Sequence, residues 1–202
     1  MIEKVSNRIT DYFIENKYVD QEDRDIYLYG SEILVSEIIC TVITLGIGIF
    51  LGIFVKTVLY LTIYTMIRVY AGGYHAMSHK MCITLFNVLY ICFSAVTELA
   101  FCLNISDFLC LVTIFAILII LRLAPVQDMR KVLDKSEIES YRKIARRRTV
   151  FWGVSVILAY CYIPYVKVET GYGMTAICEV ALLVLIGYIK NICLFRRENK
   201  DK

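Results

Sequence analysis

Across residues 33–67 the chain carries just two charges, Glu37 and Lys56. A run so apolar is longer than the roughly 20 residues that one helix needs to cross a bilayer. The simplest fold for it is a helical hairpin that turns near residues 52–56, with a re-entrant segment as the alternative for the shorter second arm. Hydrophobic residues make up 58% of the 202 positions and prolines number only two. A soluble domain of ordinary proportions cannot cover that much apolar surface, so lipid must be the solvent for much of the chain.

The same pattern continues downstream. Apolar stretches cover residues 82–102 and 105–124, separated by a turn at Asn104, Ser106 and Asp107, and Pro125 closes the second of them. Two more cover residues 150–166 and 172–192, with Pro164 and Gly171 marking the turn between them. Upstream, Ile2, Val5, Ile9 and Phe13 recur at helical spacing among charges, the pattern of an amphipathic helix lying on the membrane surface. This segment is too charged for a signal peptide, and Asp20 is placed to cap the helix that enters the first span.

The expected fold is an all-α polytopic membrane protein of about six transmembrane or re-entrant helices, preceded by a short amphipathic N-terminal helix. Residues 1–202 form one integral membrane domain. Its parts are a cytoplasmic-face segment 1–30, four apolar segments within 31–121 that include a polar loop at 68–82, a basic cytoplasmic segment 122–149, two last spans within 150–195 and a cytoplasmic tail 196–202.

Charge gives an independent reading of sidedness. Of the 22 lysines and arginines, all but Lys56 and Lys167 fall on one side of a six-span arrangement, the side that holds both termini. The excess of Lys and Arg in cytoplasmic loops makes that side the cytoplasm. Four spans with two re-entrant arms would give the same sidedness. Residues 122–148 alone carry nine basic and four acidic side chains, which suits contact with anionic lipid and electrostatic capture of an acidic peptide. Nucleic acid is not an expected partner, because the charge lies against the membrane.

Several chemistries are disfavoured by what is missing. Seven of the eight cysteines (Cys40, Cys92, Cys102, Cys110, Cys161, Cys178 and Cys193) sit in or beside apolar runs and read as small buried hydrophobes rather than a disulfide framework. No CxxC occurs and the only histidines are His75 and His79, so neither a metal site nor a cofactor is expected. HExxH, GxSxG and a pair of intramembrane aspartates are also absent. Glu98 and Glu179 lie in apolar spans, where a carboxylate is costly enough to suggest function. Protonated packing groups, catalytic groups and the lining of a transport path are all open readings. Gly48 and Gly52 form a GxxxG, which permits close helix approach within the chain or between two copies.

The polar loop at 68–82 concentrates the remaining chemistry. It contains Arg68, Gly72, Gly73, both histidines and, where the next span begins, Cys82. A thiol peptidase needs an imidazole near its thiol, because the thiolate is the nucleophile, and a helix N-terminus favours that anion. Cys82 is the one cysteine that combines a helix start, nearby histidines and access to water. On a straight helix, residues seven apart stand about 10 Å apart along the axis, too far for direct proton transfer. The backbone between His75 and Cys82 must therefore break or turn. Gly72 and Gly73 permit such a bend, or a close approach of backbone to substrate. His79, three residues before Cys82, would meet it on a continuous helix and is the rival base.

Arg68, Gly72, Gly73, His75 and Cys82, in a Gly-Gly-x-His-x6-Cys core, resemble the signature of the accessory gene regulator protein B (AgrB) family, bacterial membrane peptidases that process quorum-sensing propeptides. The similarity extends to the hydrophobic profile, the amphipathic N-terminus, the Ala124, Pro125 pair and the basic segment after it, and so covers most of the chain. The resemblance implies His75 as base and Cys82 as nucleophile, with Arg68, Gly72 and Gly73 in structural or substrate-positioning roles. It also implies a small amphipathic propeptide with an acidic C-terminal tail, for which Arg130, Lys131 and Lys135 are candidate contacts, and it suggests a homodimer. The expected protein is a cysteine endopeptidase of the bacterial cytoplasmic membrane that works through a thioester and permits cyclisation to a thiolactone or lactone. The rival from another class is a small transporter or peptide-export component that uses Glu98 and Glu179.

Overall fold

The computed structural model describes residues 2–74, 76, 78–127 and 134–198. Among the described residues seven α-helices follow one another: α1 Ile2–Glu15, α2 Arg24–Phe50, α3 Phe54–Ala71, α4 His79–Cys102, α5 Asp107–Leu123, α6 Lys135–Tyr162 and α7 Lys167–Glu198. No strand occurs among the described residues, and the expected all-α architecture of six long helices after a short amphipathic one is what the chain adopts. Three segments, Gln21–Phe50, His79–Cys102 and Pro164–Leu194, are long and apolar enough to cross a membrane. α3 and α5 are shorter, with 18 and 17 residues.

The breaks have local causes. α2 and α3 are joined by a tight turn in which Gly52 takes a positive φ of 71°, and Asn104 does the same, at 55°, between α4 and α5; both are residues that tolerate the left-handed region. Ser78 caps α4, its Oγ accepting from the Met81 N–H at 3.3 Å. Ahead of α6, the Asp134 N–H donates to Glu137 Oε2 at 3.1 Å, one half of a capping box. Asp20 lies instead at the start of a short 3-10 turn, Gln21–Asp23, and its side chain makes no capping bond.

Some boundaries differ from the sequence reading. The basic stretch is helical from Lys135 onward rather than only from residue 150. α6 begins at Lys135 and runs unbroken to Tyr162, so its first half is charged and its second half apolar. Arg148 donates to the Met66 carbonyl at 3.0 Å and stacks on Tyr70, while Arg146 reaches the Leu121 carbonyl at 3.2 Å; these cations brace α6 against the ends of α3 and α5. Gly171 lies inside α7 rather than in the turn, and a Cβ there would meet the Phe101 ring. Gly48 faces Thr57 of α3, so this half of the GxxxG serves packing within the chain. The eight cysteines are free, and Cys92, Cys102, Cys161 and Cys193 are exposed on the bundle surface rather than buried. With lipid as solvent, an outward-facing cysteine loses nothing by that position.

α7 is the hub. It packs on α3, α4, α5 and α6, and residues 170–177 are buried without interruption. Outward-facing positions of the other helices carry large apolar groups such as Phe50, Val55 and Phe151. An apolar exterior around a core that contains buried Thr, Ser, Asn and Glu side chains is the inside-out distribution expected where hydrocarbon surrounds the bundle.

Candidate active site

The site is built at the junction between α3 and α4. α3 ends at Ala71 and α4 begins at His79, so no continuous helix joins the histidine and cysteine positions, and the required break is present. His75 itself lies outside the described residues, as do Arg130 and Lys131; Lys135 is the first residue of α6.

Cys82 sits in the first turn of α4, where its N–H donates to the Ser78 carbonyl at 3.0 Å. Its thiol is half-buried. The charged groups whose fields reach the sulfur are Arg68 and Glu37. Burial of the thiol is the largest influence and opposes an anion at sulfur, as does the Glu37 carboxylate, whereas the Arg68 guanidinium and the helix N-terminus favour it.

The two glycines make the bend that ends α3. Both adopt positive φ, 65° at Gly72 and 121° at Gly73, where a side chain would be strained. Their close approaches are to the protein's own backbone. The Gly73 N–H donates to the Val126 carbonyl at 3.0 Å, the Tyr74 N–H to the Leu183 carbonyl at 2.8 Å, and the Val126 N–H to the Ala71 carbonyl at 2.9 Å. The loop is thus tied to the α5–α6 connection and to the middle of α7. Gly187 makes the second tie possible, because a Cβ there would lie 2.6 Å from the Tyr74 nitrogen and 2.7 Å from the Gly73 carbonyl carbon. Arg68 completes the clamp from below: Nη1 donates to the Gly72 carbonyl and Nη2 to the Tyr74 carbonyl.

His79 pairs with a carboxylate of another helix. Its Nε2 lies 3.4 Å from Glu32 Oε2 on α2. The intramembrane carboxylates are also separated. Glu98 pairs with Lys56 Nζ at 2.7 Å and accepts from the Tyr172 hydroxyl at 2.8 Å, at the far ends of α3 and α4. Glu179 is fully buried and accepts from the Tyr60 hydroxyl. Seven residues of α7 separate Tyr172 from Glu179, about 10 Å along the axis.

Gly187, Leu183, Val126 and Tyr64 were missed from sequence. Tyr64 stacks on Phe86, one turn below Cys82, with ring centroids 4.6 Å apart. An isolated glycine in the last span was the one readable signal, since glycine inside an apolar helix marks a close approach. Leu183 and Val126 act through backbone carbonyls, which leave no trace in residue type.

Comparison with known proteins gives a consistent picture. The family model described as accessory gene regulator B matches residues 6–188. An AgrB-like protein of Clostridium perfringens strain SM101 is 24% identical over 96% of this chain and 95% of its own length. AgrB-like protein 2 of Clostridium perfringens strain 13 is 23% identical with the same coverage. No solved structure matches the chain.

Proposed function

Because this chain belongs to the accessory gene regulator B family, which is associated with autoinducer propeptide processing, we propose that it is a cysteine endopeptidase acting on a small quorum-sensing propeptide at the cytoplasmic face of the membrane. The observation that carries this reading is the broken α3–α4 junction, which sets Cys82 in the first turn of a helix directly after the loop that Arg68 holds by the Gly72 and Tyr74 carbonyls.

In this reading the six long helices cross the bilayer with both termini inside, following the sidedness of the Lys and Arg residues. His75 takes the proton from the Cys82 thiol, and the thiolate attacks the scissile carbonyl. Collapse of the tetrahedral species expels the amine of the C-terminal fragment, which takes the proton back from His75. The N-terminal part of the propeptide is left as a thioester on Cys82. A cysteine or serine inside the peptide then displaces Cys82, closing a thiolactone or lactone and regenerating the thiol. The cations Arg130, Lys131 and Lys135 receive the acidic tail of the propeptide.

Coexpression with the propeptide of a neighbouring reading frame tests this. Cys82→Ser and His75→Ala are each expected to abolish processing while the protein still accumulates in the membrane. Full processing by either variant would sink the assignment.

A further inference from the structure

Leu183, Gly187 and Asn191 of α7 stand four apart and so form one line along the helix, about 12 Å long. Each meets backbone rather than a side chain. The Leu183 carbonyl accepts from the Tyr74 N–H at 2.8 Å, a Cβ at Gly187 would strike Tyr74 and Gly73, and Asn191 Nδ2 donates to the Gln127 carbonyl at 2.9 Å. Glycine and asparagine are poorer helix formers than the apolar residues around them, so two of the three positions are filled at a cost to the helix. Beside the line, the Lys190 ammonium stands 5.0 Å from the centre of the Tyr74 ring.

Gln127 belongs to the connection between α5 and α6, in which Ala124 and Val126 are buried. Val126 forms a parallel bridge with Gly72: its N–H donates to the Ala71 carbonyl, and its carbonyl accepts from the Gly73 N–H. The contacts therefore close into a ring that starts and ends on α7. Asn191 holds Gln127, the neighbouring Val126 holds Gly73, and the neighbouring Tyr74 returns to Leu183. His75 is the next residue of the chain after Tyr74. With the ring complete, the backbone that leads into His75 is held from two sides. Without the Asn191 bond, the connection loses its tie to α7 and the loop is held from one.

We propose that Asn191 is a positioning residue for the Cys82 site: its bond to Gln127 locks the 124–127 connection to the end of α7, and that connection holds the Gly72–Tyr74 backbone from which His75 follows. This rests on the peptidase reading above. It extends the machinery of the reaction to the last turns of α7, a segment with no candidate catalytic side chain.

The test uses the full-length chain in proteoliposomes, with a synthetic peptide of the adjacent reading frame as substrate. Labelling of Cys82 by iodoacetamide, followed by peptide mass spectrometry, is the second readout. Asn191→Ala removes the donor, and Asn191→Asp keeps the shape while turning oxygen toward the Gln127 carbonyl. Each is expected to lower kcat about fivefold, the size expected for one neutral hydrogen bond, with KM within about twofold of wild type. Labelling at neutral pH is expected to slow by a similar factor, because the reacting thiolate depends on the placement of His75. In a His75→Ala background, neither substitution should slow labelling further. Wild-type kcat in both variants would overturn the proposal, and so would effects that multiply with His75→Ala. Faster labelling would overturn it as well, since it marks a bundle that has opened around a half-buried thiol rather than a displaced base. If neither variant accumulates, Asn191→Ser carries the same readouts, because its hydroxyl is one bond too short for the Gln127 carbonyl. The peptidase reading is judged separately: processing by Cys82→Ser or by His75→Ala removes it, whereas dead Cys82→Ser and His75→Ala beside fully active Asn191 variants reject only the role of Asn191.

Discussion

α3, α4 and α7 carry a polar cluster at each end, and the two are built on opposite principles. At the far end, Lys56, Glu98 and Tyr172 form a closed set in which the cation and the anion meet at 2.7 Å, the hydroxyl donates to the same carboxylate oxygen, and the ammonium also lies over the Tyr172 ring. Every charge there has its opposite within reach. At the Cys82 end the cation is bonded to two neutral carbonyls rather than to a carboxylate, and a half-buried thiol lies in the first turn of α4. A cluster that satisfies itself holds helices together, whereas one that leaves polar capacity unused at a glycine-lined break is suited to receiving a substrate.

The sharpest way to break that contrast is at the glycines. Gly73→Ala places a side chain at a φ of 121° and drives its Cβ to within 2.8 Å of the Leu183 carbonyl oxygen. Gly187→Ala drives a Cβ into the opposite side of the same contact. Backbone atoms cannot swing away as a flexible side chain does, so the loop must lift off α7. Each variant is expected to lose about 100-fold in processing rate, equivalent to about 2.7 kcal/mol, with helical content by circular dichroism unchanged. Wild-type rates in both would mean that the loop does not need its seat on α7.

Arg68→Lys probes the clamp with a smaller expected effect. A single ammonium retains the charge but cannot hold two carbonyls in the fixed fork of a guanidinium. About a tenfold loss of kcat is expected. If lysine restores full activity, charge alone matters at this position and the bonds to Gly72 and Tyr74 do not.

How much of this was legible beforehand follows from what each feature depends on. The helices came from runs of apolar residues punctuated by Gly52, Asn104 and Pro164, and punctuation is local. The break before Cys82 followed from the reach of a proton and the rise of a helix. Residue spacing, by contrast, does not reveal which helix is central: the last span reads as apolar as its neighbours, yet α7 contacts four of them. For the same reason Gly187 looked like any helix glycine, and the fifth helix was expected to start at Val150 although charged residues at helical spacing run from Lys135 straight into the apolar half of α6. Glu98 and Glu179 looked alike in sequence. Only packing separates the one that meets Lys56 from the one that meets Tyr60.

At the far end the expected effects move from activity to stability. Lys56→Met and Glu98→Gln each break the pair, and because both side chains are partly exposed, each is expected to destabilise by about 1 kcal/mol. The double replacement should cost less than the two singles combined, since no charge is then left alone. Thermal unfolding in detergent reads this out, and processing should stay within about twofold of wild type. A large loss of processing in Glu98→Gln with unchanged stability would join the two ends into one functional unit and revive a path through the bundle.

The smallest effect is expected at His79, which spacing alone made a rival to His75. A histidine three residues before a cysteine on one helix lies on the same face, and α4 does run continuously through both. What spacing omits is a neighbour: Glu32 of α2 draws the ring to itself at 3.4 Å, and a partly exposed pair of this kind is worth a fraction of 1 kcal/mol. His79→Ala and Glu32→Gln should therefore behave alike, each within about threefold of wild type in processing, because each removes the same inter-helix contact. If His79→Ala instead stops processing while Glu32→Gln and His75→Ala do not, the ring must leave Glu32 and reach Cys82 during turnover, and His79 would replace His75 as the base.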